Sequence, residues 1–233
     1  MSAKTPLILL PGLLCDEALW APQIAALSDL ATCAVADLTR DDALGAMARR
    51  VLAEAPARFA LAGLSMGGYV AQEIMRQAPE RVTRLALLDT SARADTPERL
   101  AWRRGFIELA HKGEFHGITP RLLPIYLHPD RLNDKALTDT VLAMAQRVGR
   151  DGYLHQQQAI MARPDGREDL KRIRVPTLVL CGRDDQATPL KLHEEIASLI
   201  PGSTLAVIDR CGHMSTLEKP AEVSAAMRRW LIS

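Results

Sequence analysis

The sequence predicts an α/β fold with a mostly parallel sheet of about six strands and helices on both faces. Short apolar runs bounded by turn residues alternate along the chain with helical patterns. This alternation indicates strand–helix–strand units and a parallel sheet that is buried on both faces. Right-handed crossovers then place helices on both sides of the sheet. The apolar runs lie at 7–10, 32–36, 59–64, 82–88, 175–181 and 205–208.

Helical patterns fill the intervals between these runs. Helices are predicted over 18–30, 43–55, 69–77, 190–199 and 221–231. Three further helical patterns, at 98–111, 136–148 and 154–162, follow one another without a strand-like run between them. We therefore expect a helical cap or lid inserted over the carboxyl end of the sheet. The predicted divisions are a first core part (1–90), the cap insertion (91–174) and a second core part (175–233).

Composition limits the function classes. The chain has 233 residues, 48% hydrophobic and 24% charged, with a formal net charge of +1 and no block of like charge. These values suit one globular domain and give no reason to expect nucleic acid or an anionic membrane as partner. No apolar run approaches the length of a membrane span.

The cysteines match no metal-binding or redox spacing. They are Cys15, Cys33, Cys181 and Cys211. Reduced thiols and a cytoplasmic setting are therefore expected. The apolar run near the N-terminus is too short for the core of a signal peptide.

The sharpest local motif is G-x-S-x-G at 63–67, with Ser65 at its centre. By chance the motif would occur in roughly one chain in ten of this length. Here it lies between an apolar strand run and a helical pattern, which makes chance a much weaker explanation. A sharp strand-to-helix turn exposes the serine hydroxyl, and glycines at 63 and 67 avoid clashes there. The helix N-terminus also favours developing negative charge.

Four motifs together resemble the α/β-hydrolase superfamily, and within it the small bacterial carboxylesterases and enol-lactone hydrolases. They are Pro11-Gly12-Leu13 through Trp20, Gly63 to Gly67, Gly182 to Pro189, and Gly212-His213. The resemblance covers 7–231. The larger family sheet begins with two extra strands, for which this chain has no room before Leu7. We therefore expect an α/β-hydrolase fold that lacks the first two strands and has one more exposed edge.

The resemblance implies that Ser65 is the nucleophile and His213 its general base. His213 follows the last apolar run and precedes the last helix, in a Gly-His pair of the family kind. The order Ser, Asp, His along the chain also matches the superfamily. The other histidines are better explained as surface or core residues, namely His111, His116, His128, His155 and His193.

The resemblance implies Asp185 as the acid of the triad. The family pattern, G-x-x-D with a proline four residues later, matches at Gly182, Asp185 and Pro189. Asp184 is then a solvated neighbour. Asp89 ends the preceding strand, where some family members carry their acid, and ranks second. Asp37 ranks third.

Backbone N–H groups of Met66 and Leu13 are the expected oxyanion donors. The family takes the second donor from the residue after a His-Gly pair, which is Pro11-Gly12 here. The missing histidine leaves the backbone donor in place and removes a side chain that often braces the loop. Trp20 falls where the family often has tryptophan, and a place in the core explains it equally well.

The predicted function is hydrolysis of a small or medium carboxylic ester, lactone or thioester through an acyl-serine intermediate. Neither a metal nor an organic cofactor is needed, and the expected partner is a small ester-like molecule. A cofactor-free perhydrolase or haloperoxidase, or a C–C hydrolase, would use the same triad. A ligand-binding protein on a hydrolase fold is the alternative of another class. The sequence leaves the oligomeric state open.

Overall fold

A computed structural model describes residues 4–233 and contains one six-stranded sheet. Every pair of neighbouring strands is parallel, in the order β2-β1-β3-β4-β5-β6. The strands are β1 (Thr5–Leu10), β2 (Ala31–Val35), β3 (Phe59–Leu64), β4 (Val82–Leu88), β5 (Thr177–Gly182) and β6 (Thr204–Ile208). The predicted parallel α/β sheet is confirmed, with β2 and β6 at its edges.

Ten α-helices accompany the strands within residues 4–233. They are α1 (Ala21–Ala26), α2 (Leu44–Glu54), α3 (Met66–Gln77), α4 (Pro97–His111), α5 (Leu123–Tyr126), α6 (Lys135–Met161), α7 (Arg167–Leu170), α8 (Leu190–Leu199), α9 (Ser215–Glu218) and α10 (Pro220–Ile232). The short helices α5, α7 and α9 were not predicted, because four residues hold too little periodicity to be recognised.

The helix predicted over 18–30 is much shorter in the structure. A 3₁₀ turn at Glu17–Trp20 precedes α1, and Pro22 stands in the first turn of that helix. Proline is accepted in a first helical turn but not in a helix interior, because it has no N–H and its ring clashes with the preceding turn. Pro22 therefore separates the two short elements.

Alternate side chains of the strands enter two separate cores, one on each face of the sheet. In β1, Leu7 and Leu9 belong to the core shared with α10, whereas Ile8 and Leu10 belong to the core shared with α2 and α3. This alternation follows from the two-residue repeat of a strand. Helices thus cover both faces, as the apolar runs predict.

The chain between β4 and β5 forms helices α4 to α7 and no strand. Helix α6 is interrupted at Gly149, whose φ of 69° and ψ of −178° are not helical. Glycine tolerates a positive φ without the steric penalty of a side chain, so the break falls where the sequence predicts a gap between two helices. The division at 1–90, 91–174 and 175–233 stays a prediction.

Two further features concern the whole described chain. Within residues 4–233, none of the helices is both long enough and apolar enough to cross a membrane. The four cysteines are free thiols, three of them buried.

The start of α3 is pressed against the sheet by two close backbone contacts. A Cβ atom on Gly67 would lie 2.1 Å from the carbonyl oxygen of Leu10 in β1. A Cβ atom on Gly63 would lie 2.3 Å from the carbonyl oxygen of Gly67. Both separations are far inside van der Waals contact with backbone atoms, which cannot rotate away. The glycines of the motif therefore allow β3 to turn directly into α3.

We expect Gly67→Ala to lower the free energy of unfolding by about 1–3 kcal/mol, because its methyl group must displace backbone. Gly105→Ala is the matched control, since a Cβ atom on this glycine of α4 has no heavy atom within 4 Å. It should raise the free energy of unfolding by up to about 1 kcal/mol. Urea denaturation followed by circular dichroism measures both. Equal effects of the two substitutions would contradict the close packing of α3.

Candidate active site

Ser65 occupies the turn between β3 and α3 in a strained conformation. Its φ of 55° and ψ of −114° lie where side chains other than glycine are rare. Such strain costs on the order of 1–3 kcal/mol and is kept only when neighbouring groups impose it. The Ser65 N–H donates to Leu88 O at 2.9 Å, and the Thr90 hydroxyl donates to Ser65 O at 2.7 Å. The end of β4 therefore holds the turn in place.

Three side chains from distant parts of the chain form a continuous hydrogen-bonded row. Ser65 Oγ lies 2.9 Å from His213 Nε2, and His213 Nδ1 lies 2.8 Å from Asp185 Oδ2. His213 and Asp185 are buried. The structure thus brings together the three residues that the sequence selects, in a geometry suited to moving a proton from the hydroxyl to the ring.

Asp185 accepts hydrogen bonds from every group around its carboxylate. Oδ1 accepts from the N–H groups of Ala187 and Thr188, each at 2.8 Å, and Oδ2 accepts from the Thr188 hydroxyl at 2.7 Å. Burial raises the pKa of Asp185, but the charge and hydrogen bond of His213 and the Thr188 donors outweigh it and hold that pKa below the usual value. The carboxylate is therefore ionised at neutral pH.

The pKa of His213 is raised above the ordinary 6.5 by its partner. Burial alone lowers this pKa, and the adjacent Asp185 carboxylate more than offsets the effect. Asp185 also fixes the tautomer, because a carboxylate can only accept and so requires the proton on Nδ1. Nε2 is then the free acceptor that faces Ser65.

Asp89 lies close to this row without joining it. Its Oδ1 accepts from the Gly182 N–H at 3.0 Å, and its Oδ2 is bonded to the Ser215 hydroxyl. Burial first, and then the charge of Asp185, raise the pKa of Asp89 well above its ordinary value. Through its two hydrogen bonds, Asp89 ties the ends of β4 and β5 to the start of α9.

The two remaining aspartates lie away from His213. Asp184 is half-buried, with its carboxylate 3.6 Å from His128 Nε2. Asp37 accepts from the N–H and hydroxyl of Thr39 and pairs with Arg40 beyond the end of β2. Of the four candidate acids, Asp185 is the one in contact with the histidine.

Asp89, Asp185 and His193 bring potential ligand atoms within 4.8 Å of one another, a spacing that could suit a metal ion. Both carboxylates and His193 Nε2 are already engaged by protein donors, whereas His193 Nδ1 is buried without a partner among residues 4–233. His193 Nε2 accepts from the Thr90 N–H at 2.8 Å, and the carboxylates have the partners described above. Burial lowers the pKa of His193 to about 4, so its ring is neutral. We interpret the group as packing behind the triad rather than as a metal centre.

Glu218 is a residue that sequence reasoning missed, and it fixes the loop that carries His213. Oε1 accepts from Gly212 N at 3.0 Å and Met214 N at 3.2 Å, on either side of the histidine. Oε2 accepts from His128 N at 2.7 Å, which ties the loop to the helical segment between β4 and β5. Nothing local marks this glutamate in the sequence, because its partners are backbone groups.

The N–H groups of Leu13 and Met66 are free to bind an oxyanion. Within residues 4–233, no acceptor takes a hydrogen bond from either of them. Leu13 lines the cavity that contains Ser65, and Met66 is the first residue of α3. The expected donors are therefore available next to the nucleophile, although their role stays a prediction.

Gln156 of α6 braces the loop that carries Leu13. Its Oε1 accepts from Leu14 N at 3.0 Å, and its Nε2 donates to Leu38 O at 3.3 Å. Leu14 has a φ of 58°, an unusual value for a branched side chain, so the loop needs support. The buried glutamine thus ties this loop to the chain that follows β2. Sequence reasoning missed it because the two partners are 142 residues apart.

A cavity of about 280 Å³ opens onto Ser65 and His213. It is at the small end of the range for ligand pockets. Its lining is Gly12, Leu13, Cys15, Leu64, Ser65, Tyr69, Arg99, Trp102, Arg103, Ile125, Tyr126, Ile160, Gln186, Ala187, Thr188, His213 and Met214. Trp20 does not line this cavity. It is fully buried in the core on the α10 face, which agrees with the interpretation of Trp20 as a core residue.

Comparisons with known proteins extend over most of the chain. The model of the alpha/beta hydrolase family matches residues 7–226. A protein provisionally named carbamate hydrolase RutD, from Azorhizobium caulinodans, is 30% identical over 94% of this chain and 88% of its own length. The structure of a thermophilic esterase from Thermogutta terrifontis has a TM-score of 0.88 and 28% identity, covering 100% of this chain and 91% of that one. The enol-lactonase from Burkholderia xenovorans LB400 has a TM-score of 0.87 and 26% identity, covering 100% and 93%.

The hydrogen bond between Asp185 and His213 can be tested without any substrate. In the wild-type protein His213 should titrate above 6.5, because the carboxylate outweighs burial. Asp185→Asn should lower the pKa of His213 by roughly one unit or more. Asp184→Asn is the matched control and should leave it nearly unchanged, because that carboxylate lies near His128 and not beside His213. NMR titration of the imidazole resonances measures both, and a larger shift in Asp184→Asn would exclude Asp185 as the partner.

Proposed function

Since the chain belongs to the alpha/beta hydrolase family, we propose that it is a serine hydrolase that cleaves small or medium carboxylic esters, lactones or thioesters. The family resemblance predicted from the four sequence motifs is confirmed by the family model, which matches residues 7–226. Family membership alone does not define the reaction. The reaction is inferred from the residues around Ser65.

One observation carries the proposal, namely the row from Ser65 through His213 to Asp185. Its two hydrogen bonds measure 2.9 Å and 2.8 Å. A serine hydroxyl is a weak nucleophile at neutral pH and needs a base within hydrogen-bond reach. A purely structural serine would have no need of a strained backbone, a buried imidazole and a buried, ionised carboxylate.

In the first half-reaction, Ser65 Oγ attacks the acyl carbon of the substrate while His213 Nε2 takes the hydroxyl proton. Only the neutral ring can accept this proton, so the step requires a pH above the pKa of His213. The Asp185 carboxylate stabilises the imidazolium that forms. His213 then gives the proton to the departing alcohol or thiol, and an acyl-Ser65 remains.

The tetrahedral intermediate carries a negative oxygen, which the N–H groups of Leu13 and Met66 would bind. Because neither group has another acceptor within residues 4–233, no existing hydrogen bond has to break for them to receive the charge. In the second half-reaction, water replaces the alcohol. His213 takes a proton from the water and returns it to Ser65 Oγ as the acid product leaves.

The comparisons support chemistry at an acyl carbon. An esterase and an enol-lactonase both open a carboxylic ester bond, which is internal in a lactone, and both exceed 25% identity with this chain. The name carbamate hydrolase also describes attack on an acyl carbon. The cavity of about 280 Å³ favours a small substrate.

Ser65→Ala should lower kcat/KM for short-chain esters roughly a thousandfold or more, because it removes the nucleophile and leaves only the oxyanion donors. An ester panel of increasing acyl length, with lactones and thioesters, measures this. A fluorophosphonate probe should label wild-type Ser65 and leave the alanine variant unlabelled.

Two outcomes would contradict the proposal. Ester turnover that survives in Ser65→Ala would place the chemistry elsewhere in the protein. A folded wild-type protein that neither reacts with the probe nor hydrolyses any member of the panel would indicate a ligand-binding protein on this fold.

Gln156→Leu should lower kcat for esters by about tenfold to a hundredfold with a smaller change in KM, because Leu14 N loses its acceptor and the Leu13 donor is no longer held in place. Gln158→Leu is the matched control on the same helix, since Gln158 is exposed. Steady-state kinetics and thermal unfolding of both variants separate a site effect from a loss of stability. Equal kcat values in the two variants would show that the loop needs no brace.

A further inference from the structure

Two arginine side chains line the cavity next to Ser65. Arg99 and Arg103 both belong to α4, four residues apart, and therefore lie on one face of that helix together with Trp102. In the part of the chain that the structure describes, no aspartate or glutamate lines the cavity. The proposed hydrolysis uses neither arginine.

Arg103 is buried, with only 6% of its side chain exposed. Its Nε donates to Asp95 Oδ2 at 2.6 Å, and its Nη1 donates to Gln157 Oε1 at 2.7 Å. Its Nη2 has no acceptor among residues 4–233. The guanidinium of Arg103 thus keeps an Nη2 group at the wall of the cavity that no protein acceptor occupies.

Arg99 is less constrained and sits at the more open side, with 47% of its side chain exposed. Its two Nη atoms reach Ala187 O at 3.3 Å and 3.4 Å, which are long hydrogen bonds. Its Nε is 3.6 Å from Asp95 Oδ1. Each Nη atom of Arg99 therefore keeps a second N–H group for a bound molecule.

Asp95 neutralises only part of this positive charge. Its buried carboxylate also accepts from Arg163 Nη2 at 2.7 Å, so one carboxylate serves three guanidinium groups. Burial raises the pKa of Asp95, but hydrogen bonds and charges of Arg163 and Arg103 outweigh it and hold the pKa below its usual value. Arg163 is fully engaged behind the cavity, where it stacks 4.3 Å from the Tyr69 ring. The excess charge is therefore presented by Arg99 and Arg103.

We infer that the substrate carries a carboxylate besides the bond that is cleaved, and that Arg99 and Arg103 bind this carboxylate. The inference rests on the proposed function and names its substrate class as anionic esters or lactones. A guanidinium pair matches the planar carboxylate with two parallel hydrogen bonds. A carboxylate would accept a hydrogen bond from Arg103 Nη2 and would offset the excess positive charge. A neutral alkyl group would leave this donor without an acceptor and the charge without a counterion.

The test compares esters that differ only in charge. One pair, monomethyl glutarate and the methyl ester of glutaric monoamide, carries the anion or its neutral isostere on the acyl side. The second pair, acetoxyacetate and acetoxyacetamide, carries it on the alcohol side. Wild-type kcat/KM should favour the carboxylate by about tenfold or more in at least one pair.

Two variants assign the preference to the cavity. Arg99→Gln should bring the carboxylate-to-carboxamide ratio of kcat/KM towards one. Arg104→Gln is the matched control, because Arg104 follows on the same helix, is exposed and does not line the cavity. It should keep the wild-type ratio. Wild-type preference for the carboxamide in both pairs, or an unchanged ratio in Arg99→Gln, would overturn the inference.

The inference and the proposed function fail in different ways. Hydrolysis of the neutral esters with labelled Ser65 but no carboxylate preference would reject the anion site alone. If no ester is hydrolysed and Ser65 is not labelled, the proposed function fails. Calorimetry then measures whether glutarate binds to Arg99 and Arg103 in the absence of catalysis. Glutarate binding that weakens about tenfold in Arg99→Gln and not in Arg104→Gln would support the site. Absence of glutarate binding to the wild-type protein would reject it.

Discussion

The hydrogen bond from His213 Nδ1 to Asp185 is the interaction on which the site depends. This hydrogen bond sets the tautomer of His213 and orients Nε2 towards Ser65. The negative charge of the Asp185 carboxylate keeps the pKa of the buried imidazole above its ordinary value. Without a fixed ring, the strained turn at Ser65 would expose a hydroxyl with no base. The parallel sheet makes this contact possible, because the carboxyl ends of its strands bring loops that are distant in sequence to one edge.

Side chains around the triad hold loops rather than react. Glu218 accepts hydrogen bonds from three backbone N–H groups on and near the His213 loop. Gln156 accepts one from Leu14 N in the loop that carries Leu13. Both connect the core to the helices between β4 and β5, so changes in that segment would alter the positions of the proposed oxyanion donors and of the proposed base. Asp89 shows how environment separates two neighbouring carboxyl groups. Burial raises the pKa of both. At Asp185 the partners His213 and Thr188 outweigh burial and hold the pKa below its usual value, whereas at Asp89 the charge of Asp185 adds to burial and the pKa lies well above its usual value.

The fold was predictable because its information is local. Six apolar runs, the glycines of the serine motif and the positions after each strand can be recognised within a few residues, and they also select the three residues that the structure brings together. The braces and the proposed anion site could not be found in this way. Gln156 and Arg103 act through partners that only the folded chain brings close, and a buried glutamate such as Glu218 resembles any other glutamate in the sequence. Helix α1 is shorter than its apolar pattern predicts, because Pro22 cannot occupy the interior of a longer helix.

The central claim is that Ser65 becomes acylated. Rapid-quench mixing of the wild-type protein with 4-nitrophenyl acetate, followed by mass spectrometry of proteolytic peptides, observes this step directly. A transient acetyl group should appear on the peptide that contains Ser65, formed and lost at rates consistent with turnover. Turnover of the ester with the acetyl group on a different residue, or with no acylated peptide at any time while product forms in a burst, would contradict it.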